Sequence, residues 1–195
     1  MANIDLKKRT ISCKIVYYGP GLSGKTCNLR SVHEKLESHQ KGRLSSLATK
    51  TNITTYIEVV PVSWDQLLGL DATFRLCAVP GQAIFNKTRK LLLKDTDGVV
   101  FVADSRPERH EANLDTLEAL KEHLDEYDLS LQTMPHVFQY NKRDLENTMS
   151  VSDMRATLNL HGAPDFEASA INGKGVMETL RAIIDAIGRD LKTRL

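Results

Sequence analysis

A glycine-rich stretch between a strand-like run and a helical pattern constrains the fold of this chain more than any other segment. Residues 12–18 have the mixed apolar character of a short strand, and residues 19–24 interrupt it with three glycines and a proline. Leu29, Val32 and Leu36 then recur at helical spacing. A strand, a glycine-rich turn and a helix in this order predict the first unit of an alternating α/β domain.

The remainder of the chain continues the alternation. Further strands are expected at 56–61, 73–79, 98–103, 137–140 and 165–170, and further helices at 84–94, 114–124, 154–160 and 176–191. The short connection 63–71 favours an antiparallel hairpin, whereas the later strands are separated by helices and favour parallel pairing. We therefore expect one α/β domain over 1–195: a mostly parallel six-stranded sheet with one antiparallel strand and helices on both faces.

Composition narrows the possible partners and location. Lys and Arg number 26 against 25 for Asp and Glu, so the net charge of +1 gives no electrostatic reason to expect nucleic acid or an anionic membrane. The termini carry no signal peptide, no myristoylation glycine and no cysteine for prenylation. A cytoplasmic protein without a direct membrane anchor is expected. Cys13, Cys27 and Cys77 have no metal-type spacing and are interpreted as reduced thiols.

Residues 19–26 match the pattern G-x-x-x-x-G-K-[ST], which follows a strand and opens a helix in phosphate-binding loops. The glycines allow successive backbone N–H groups to point at phosphate oxygens, and the helix adds the positive end of its dipole. Lys25 would reach the β- and γ-phosphates, and the Thr26 hydroxyl would bind Mg²⁺. The alternative is a glycine-rich turn with an incidental lysine. The expected nucleotide contacts are Gly19, Gly21, Leu22, Ser23, Gly24, Lys25, Thr26 and Cys27.

The sequence Asn141-Lys142-Arg143-Asp144 follows the strand 137–140 and points to guanine. Guanine offers N1–H and N2–H₂ donors on one edge, and the Asp144 carboxylate accepts from both, whereas adenine leaves it unpaired. The Lys142 stem would lie along the base, and Asn141 would tie this loop to residues 19–26. A backbone N–H of the stretch that includes Ser169 and Ala170 would donate to guanine O6.

With these elements in order, the chain resembles the Ras-like small GTPases. The runs 13–21, 79–82, 97–105 and 139–145 resemble, more closely, the bacterial gliding-motility GTPases of the MglA family. This resemblance implies a GTP/GDP switch with Mg²⁺ that sets cell polarity in rod-shaped bacteria. It also implies a roadblock-fold MglB-like regulator, polarity or motility effector proteins, and recruitment to a cell pole by such partners.

The resemblance assigns further residues to the site. Gly81 would sense the γ-phosphate, Thr54 would close over Mg²⁺ as its second protein ligand, and Gln82 would orient the attacking water as the catalytic residue. Ras-like proteins usually hold Mg²⁺ through an aspartate at the position of Ala78. Glu58 is a candidate substitute for that aspartate, and the alternative is that Glu58 is simply a solvated strand residue.

Position 53 departs from the family. The MglA family places an internal arginine finger there, and this chain has Ile53, which carries no charge to set against the transition state. The sequence therefore predicts slow GTP hydrolysis. A near-permanently GTP-bound recruitment platform is the alternative, and a metabolic P-loop kinase is a third possibility that residues 141–144 oppose.

Some residues are assigned no role in the site. The basic residues Lys87, Arg89, Lys90 and Lys94 are interpreted as a solvated helix face, with contact to an acidic partner as the alternative. His33 and His123 are interpreted as residues of helix surfaces.

Overall fold

A mixed β-sheet forms the centre of the domain. The computed structural model describes residues 2–42, 45–48, 56–79 and 86–194. Within these ranges the strands are β1 (Asn3–Asp5), β2 (Thr10–Tyr18), β3 (Ser45–Ala48), β4 (Tyr56–Leu67), β5 (Leu70–Ala78), β6 (Gly98–Asp104), β7 (His136–Asn141) and β8 (Asp165–Glu167). The helices are α1 (Lys25–Lys35), α2 (Asn86–Leu93), α3 (His110–Asp125), α4 (Val151–Leu158) and α5 (Val176–Arg194).

The strand order is β3-β4-β5-β2-β6-β7-β8. Strands β5, β2, β6, β7 and β8 pair in parallel, whereas β4 is antiparallel to both of its neighbours. The predicted fold class is therefore confirmed, and the six expected strands correspond to β2 and β4–β8. Two short strands add to them: β1 pairs antiparallel with the first residues of β2, and β3 lies at the edge beside β4. Strands of three and four residues are too short to show a hydrophobic period.

The predicted hairpin is present, but its turn is tighter than expected. Strand β4 continues to Leu67, and only Leu68 and Gly69 separate it from β5. Both turn residues have positive φ, 55° and 78°. Turns of this mirror-image type fit the right-handed twist of the two strands that they join. The expectation of a turn over 63–71 is thus wrong for residues 63–67, which belong to β4, and for residues 70–71, which belong to β5.

Both faces of the sheet are covered. One core contains Val32 from α1 and Leu180 from α5, together with Val100 and Val102 of β6. The other contains side chains of α2, α3 and α4, packed on Val99 and Phe101 of the same strand. Alternate residues of β6 therefore enter opposite cores, which explains why that strand is apolar up to its last residue, Asp104.

Two polar residues lie deeper than the sequence suggested, and their interpretation as surface residues is wrong. His123 is 1% exposed, and its Nδ1 lies 2.9 Å from the hydroxyl of buried Tyr18. Arg89 is 6% exposed, with its guanidinium carbon 5.9 Å from the centroid of the Tyr18 ring. A buried tyrosine hydroxyl needs a polar partner, and the ring face attracts a cation. Lys90 forms an ion pair with Glu126, and Lys87 is exposed.

The remaining sequence expectations concern thiols and membrane spans. Cys13 and Cys77 are buried and Cys27 is exposed, all as free thiols. Burial raises the pKa of Cys13 to about 12. Within the ranges that the structure describes, no helix is both long and apolar enough to cross a bilayer.

The second core gives a stability prediction. Leu120 of α3 is fully buried, whereas Leu160 is 69% exposed. Leu120→Ala should lower the free energy of unfolding by about 2–5 kcal/mol, because it removes apolar contacts and leaves a cavity. Leu160→Ala should change it by less than about 0.5 kcal/mol. Urea unfolding of the three proteins, followed by circular dichroism, tests this; equal destabilisation by the two variants would contradict the packing described.

Candidate functional site

The loop between β2 and α1 requires glycine at two positions. Gly19 has φ +140°, and a Cβ added there would collide with the carbonyl oxygen of Val102 in β6. Gly24 has φ +101°, and an added Cβ would collide with the side-chain amide of Asn141. The loop is therefore pressed between the ends of β6 and β7, at the carboxyl edge of the parallel strands, where open α/β sheets bind ligands.

Lys25, the first residue of α1, folds back over this loop. Its Nζ donates to the carbonyl oxygens of Gly19 and Pro20 at 2.8 and 2.7 Å. The side chain is 5% exposed. Burial, followed by the positive charge of Arg89, lowers the pKa of Lys25 to about 7. An anion beside the amine would oppose both effects, so the loop is electrostatically suited to a phosphate group. Thr26 follows in the first turn of α1 and is half-buried.

Asn141, the last residue of β7, joins two loops. Its Nδ2 donates to the Ser23 carbonyl oxygen at 2.7 Å, and its Oδ1 accepts from the Ala170 backbone N–H at 2.9 Å. The residue is 2% exposed. The structure therefore contains the expected link between Asn141 and the glycine-rich loop. It also engages the candidate donor Ala170, so a guanine O6 would share this N–H with Asn141.

Asp144 faces solvent with one oxygen held. Ser169 donates its hydroxyl to Asp144 Oδ1 at 2.6 Å, and Asn172 donates to the same hydroxyl oxygen at 3.0 Å. Asp144 and Ser169 line a cavity of about 230 Å³. The carboxylate is thus oriented by a neighbouring loop and remains able to accept from donors in the cavity. The Ser169 hydroxyl contact was not predicted from sequence.

Lys142 is fixed by a buried carboxylate that the sequence reasoning missed. Lys142 has φ +71°, and its Nζ lies 2.8 Å from Oδ2 of Asp104, the last residue of β6. Arg106 binds the same carboxylate at two points, 2.8 and 3.1 Å. Burial raises the pKa of Asp104, but hydrogen bonds from Arg106 and Lys142 outweigh it and bring that pKa below its ordinary value. The signal available in the sequence was an acidic residue directly after the apolar run 98–103.

A second missed residue contacts the glycine-rich loop from α3. Arg109 precedes α3 and donates from Nη2 to the Gly21 carbonyl oxygen at 2.9 Å. Asn113, one turn into the helix, pairs with the backbone N–H and C=O of Asp104 at 2.9 and 2.8 Å. The start of α3 is therefore tied to both the loop and the end of β6. Nothing in the local sequence around either residue signals these contacts.

Four expected site residues fall outside the described part of the chain, and two others lie opposite each other on β4 and β5. Ile53, Thr54, Gly81 and Gln82 lie outside the described residues. Ala78 ends β5 and is 3% exposed, and the strand register sets Glu58 directly opposite it. Residues directly opposite in an antiparallel pair are cross-strand neighbours. Glu58 is thus the β4 neighbour of the position at which Ras-like proteins usually have an aspartate.

The residues that are described fit a nucleoside phosphate with Mg²⁺. A buried amine with a lowered pKa and a helix N-terminus suit the phosphates, and an oriented carboxylate suits a base that carries N–H donors. Among the described residues, no group of three or more His, Cys, Asp and Glu side chains is arranged to hold a metal ion. Magnesium sites that use one or two protein ligands take their remaining ligands from phosphate oxygens and water, and Thr26 suits such a site.

Comparisons with known proteins agree with this geometry. The model of the ADP-ribosylation factor family matches residues 3–187, from the first residue of β1 into α5. The chain is also 46% identical, over 192 residues, to the Mutual gliding-motility protein MglA of Myxococcus xanthus (strain DK1622). That alignment covers 98% of each chain.

The buried carboxylate gives a pH-dependent prediction. Asp104→Asn should lower the free energy of unfolding at pH 7 by about 1–3 kcal/mol, because charge-assisted hydrogen bonds are lost. Since the native pKa of Asp104 is below its ordinary value, its stabilisation is full above about pH 4 and is lost as the pH falls further. The difference between the variant and the wild type should therefore shrink in acid, as measured by urea unfolding at several pH values.

Glu167→Gln is the matched control, because the exposed Glu167–Arg143 pair lies at the end of β8, two strands away from β6. This change should cost less than about 1 kcal/mol. An Asp104→Asn deficit that stays constant between pH 7 and acid would contradict the described charge state.

Proposed function

Because the chain belongs to the ADP-ribosylation factor family of small GTPases, we propose that its 195 residues form one guanine-nucleotide switch domain. The observation that carries the proposal is the pair of hydrogen bonds from Asn141 to Ser23 and Ala170. These bonds hold the glycine-rich loop, residues 19–24, next to residues 141–144, which are expected to contact guanine, and next to the loop that follows β8. A nucleotide that spans both loops would contact a single rigid surface.

The phosphates would bind at residues 19–24 and at the start of α1. The backbone N–H groups of the loop and of Cys27 would donate to phosphate oxygens. The amine of Lys25 would exchange part of its contact with the loop carbonyls for the β- and γ-phosphates. Thr26 would hold Mg²⁺ together with Thr54. When bound, Mg²⁺ neutralises charge on the β- and γ-phosphate oxygens.

The base would bind between Lys142 and Asp144. The ion pair of Lys142 with Asp104 fixes the lysine head, so that the stem can lie along an aromatic ring. Ser169 holds one oxygen of Asp144, which supports a fixed geometry for accepting the guanine N1–H and N2–H₂ donors. Ile171 is 76% exposed next to Ala170 and would supply an apolar surface near the base.

Asp144→Asn tests the base assignment. It should weaken GDP binding roughly 10²–10⁴-fold, because two charge-assisted hydrogen bonds of about 1.5–3 kcal/mol each are lost. The new amide donor suits the C2 carbonyl of xanthine, so xanthosine diphosphate should bind the variant more tightly than it binds the wild type. Displacement of a fluorescent guanine nucleotide by GDP, ADP and xanthosine diphosphate measures these affinities.

The matched control is Glu167→Gln, which removes a different carboxylate from the same cavity. It should leave GDP affinity within about twofold of wild type. If ADP displaces the probe from the wild type as effectively as GDP does, the proposed guanine specificity is wrong. That result would favour the P-loop kinase alternative.

Hydrolysis would depend on residues that follow β5 and precede β4. Gly81 would sense the γ-phosphate and Gln82 would orient the attacking water. We propose that Glu58 compensates for the missing carboxylate at Ala78, supported by their opposite positions in the β4–β5 register. The support is the backbone register alone, because residues directly opposite in an antiparallel pair are cross-strand neighbours.

Slow turnover is proposed because position 53 is isoleucine. Arginine fingers contribute about 10³–10⁵-fold to the rate of such reactions by stabilising transition-state charge, and isoleucine supplies none. A protein with this residue would remain in the GTP state for longer than its arginine-bearing relatives. The second candidate function, a near-permanently GTP-bound recruitment platform, rests on the same residue, whereas Gln82 favours turnover.

Ile53→Arg should raise the single-turnover rate of GTP hydrolysis by about 10³-fold or more, if the finger acts as it does in related enzymes. Ile53→Gln is the control, because glutamine is a long polar side chain like arginine but carries no charge. It should leave the rate near that of wild type. Each protein is measured alone and with its roadblock-fold regulator. A wild-type rate that is already high, or that rises steeply with the regulator, would contradict the proposed role of Ile53.

The cellular role is proposed from the relative. The Myxococcus xanthus protein is named for mutual gliding motility. We propose that this chain likewise acts in motility or cell polarity from the cytoplasm. A roadblock-fold regulator and effector proteins would bind it in its GTP state and recruit it to a cell pole.

A further inference from the structure

A second cavity lies away from the candidate nucleotide site. It is a groove of about 490 Å³ between α3, α4 and the end of β7 nearer His136. Its lining includes none of the residues assigned to phosphate, Mg²⁺ or base. The apolar part of the lining is Leu114, Leu117, Leu131, Phe138, Leu158 and Leu160.

The groove has a buried apolar floor and an exposed apolar rim. Leu117, Leu131 and Leu158 are each less than 10% exposed. On opposite sides of the opening, Leu114 of α3 is 38% exposed and Leu160, after α4, is 69% exposed. Leucines at these two positions would lose water-accessible surface if a partner filled the groove.

One wall of the groove is acidic. Asp115, Glu118 and Asp125 of α3 line it, and the basic lining residue Lys121 is already paired with Glu118 at 2.9 Å. The whole helix carries five acidic side chains against one lysine, in a chain whose net charge is +1. The negative charge is therefore concentrated along this wall, which would attract a basic partner and repel an acidic one.

The exposed rim leucine is held in place by a structured turn. Asn159 is 5% exposed, and its side chain pairs with both the N–H and the C=O of Ala163, at 2.9 and 2.7 Å. These bonds close the turn that carries Leu160. On the floor, His136 Nδ1 donates to the Met134 carbonyl oxygen at 3.1 Å. A partner would therefore meet a preformed surface and lose less free energy in ordering it.

We propose that this groove is a docking site for a basic amphipathic helix of a partner protein. Large apolar side chains on one face of that helix would enter between Leu114 and Leu160. Lysine or arginine side chains beside that face would meet Asp115, Glu118 and Asp125. A helix laid in a groove uses both features at once, as other helix-binding grooves do. The inference goes beyond the proposed nucleotide switch and does not depend on it.

Three other occupants fit less well. The acidic wall repels nucleic acid and anionic lipid, because both are polyanions. A small apolar ligand would not engage the carboxylates of Asp115 and Asp125. Charge complementarity therefore favours a peptide segment that combines apolar and basic side chains.

The test uses a synthetic peptide of leucine and lysine, about 15 residues long so that it can form a helix. One fluorescein-labelled peptide places its leucines on one helical face, and a second has the same composition in scrambled order. Fluorescence anisotropy should show that the GDP-loaded full chain binds the amphipathic peptide at least about tenfold more tightly than the scrambled one. Asp115→Lys and Leu160→Ser should each weaken this binding about tenfold.

Two control variants separate the groove from general effects. Glu111→Lys reverses a charge one turn away on the same helix but outside the groove lining, and Leu6→Ser removes a leucine that is 76% exposed elsewhere. Both should bind the amphipathic peptide as wild type does. Thermal unfolding and GDP affinity are measured on all four variants, so that a loss of folding or of nucleotide binding is seen separately.

Three outcomes overturn the proposal. The scrambled peptide binds as tightly as the amphipathic one, or Glu111→Lys weakens binding as much as Asp115→Lys, or the amphipathic peptide does not bind. Sedimentation of the chain alone supplies a fourth: a dimer that Asp115→Lys dissociates would assign the groove to a second copy of this chain. If none of the proteins binds GDP, the proposed function is contradicted. The groove proposal is then judged by the peptide binding alone.

Discussion

The side-chain amide of Asn141 sets the position of the candidate nucleotide site, because it bonds at once to the loop after β2 and the loop after β8. Because Asn141 is buried, these two bonds matter for stability. Removing the amide would leave the Ser23 carbonyl and the Ala170 N–H without partners away from water. The same amide lies where a side chain at Gly24 would stand. Loop shape and loop spacing therefore depend on one residue.

Charge is arranged differently at the two ends of this surface. At the glycine-rich loop, burial and then the positive charge of Arg89 lower the pKa of Lys25 to about 7. Beside residues 141–144, Arg106 and Lys142 both bind the carboxylate of Asp104 and keep it ionised despite its burial. An anion added near Lys25 would stabilise its charged form, whereas the charge of Asp104 is already balanced by its two cations. A nucleotide would thus find its electrostatic attraction at the phosphates and its specificity at the base.

Local patterns predicted the parts of the fold that local physics determines. The alternation of strands and helices, the hairpin of β4 and β5, and the residues of the two loops could all be read from spacing and turn residues. Contacts between distant residues could not. Tyr18 pairs with His123, and Arg109 with Gly21, and no periodicity links positions 105 and 88 residues apart. A histidine on an amphipathic helix gives the same pattern whether it faces solvent or a buried hydroxyl.

The sequence by itself determined the chemistry of this protein: a glycine-rich loop that suits phosphate, an acid that suits guanine, and an isoleucine where the resembled family has arginine. Those features depend on residue types at short spacings, which are visible in the linear sequence. The tertiary structure alone decided which groups complete the site, since Asp104 and Ser169 act through partners brought together by neighbouring strands. It also decided that an acidic, leucine-rimmed groove lies between α3 and α4. A surface of that kind exists only after two helices pack side by side on the sheet.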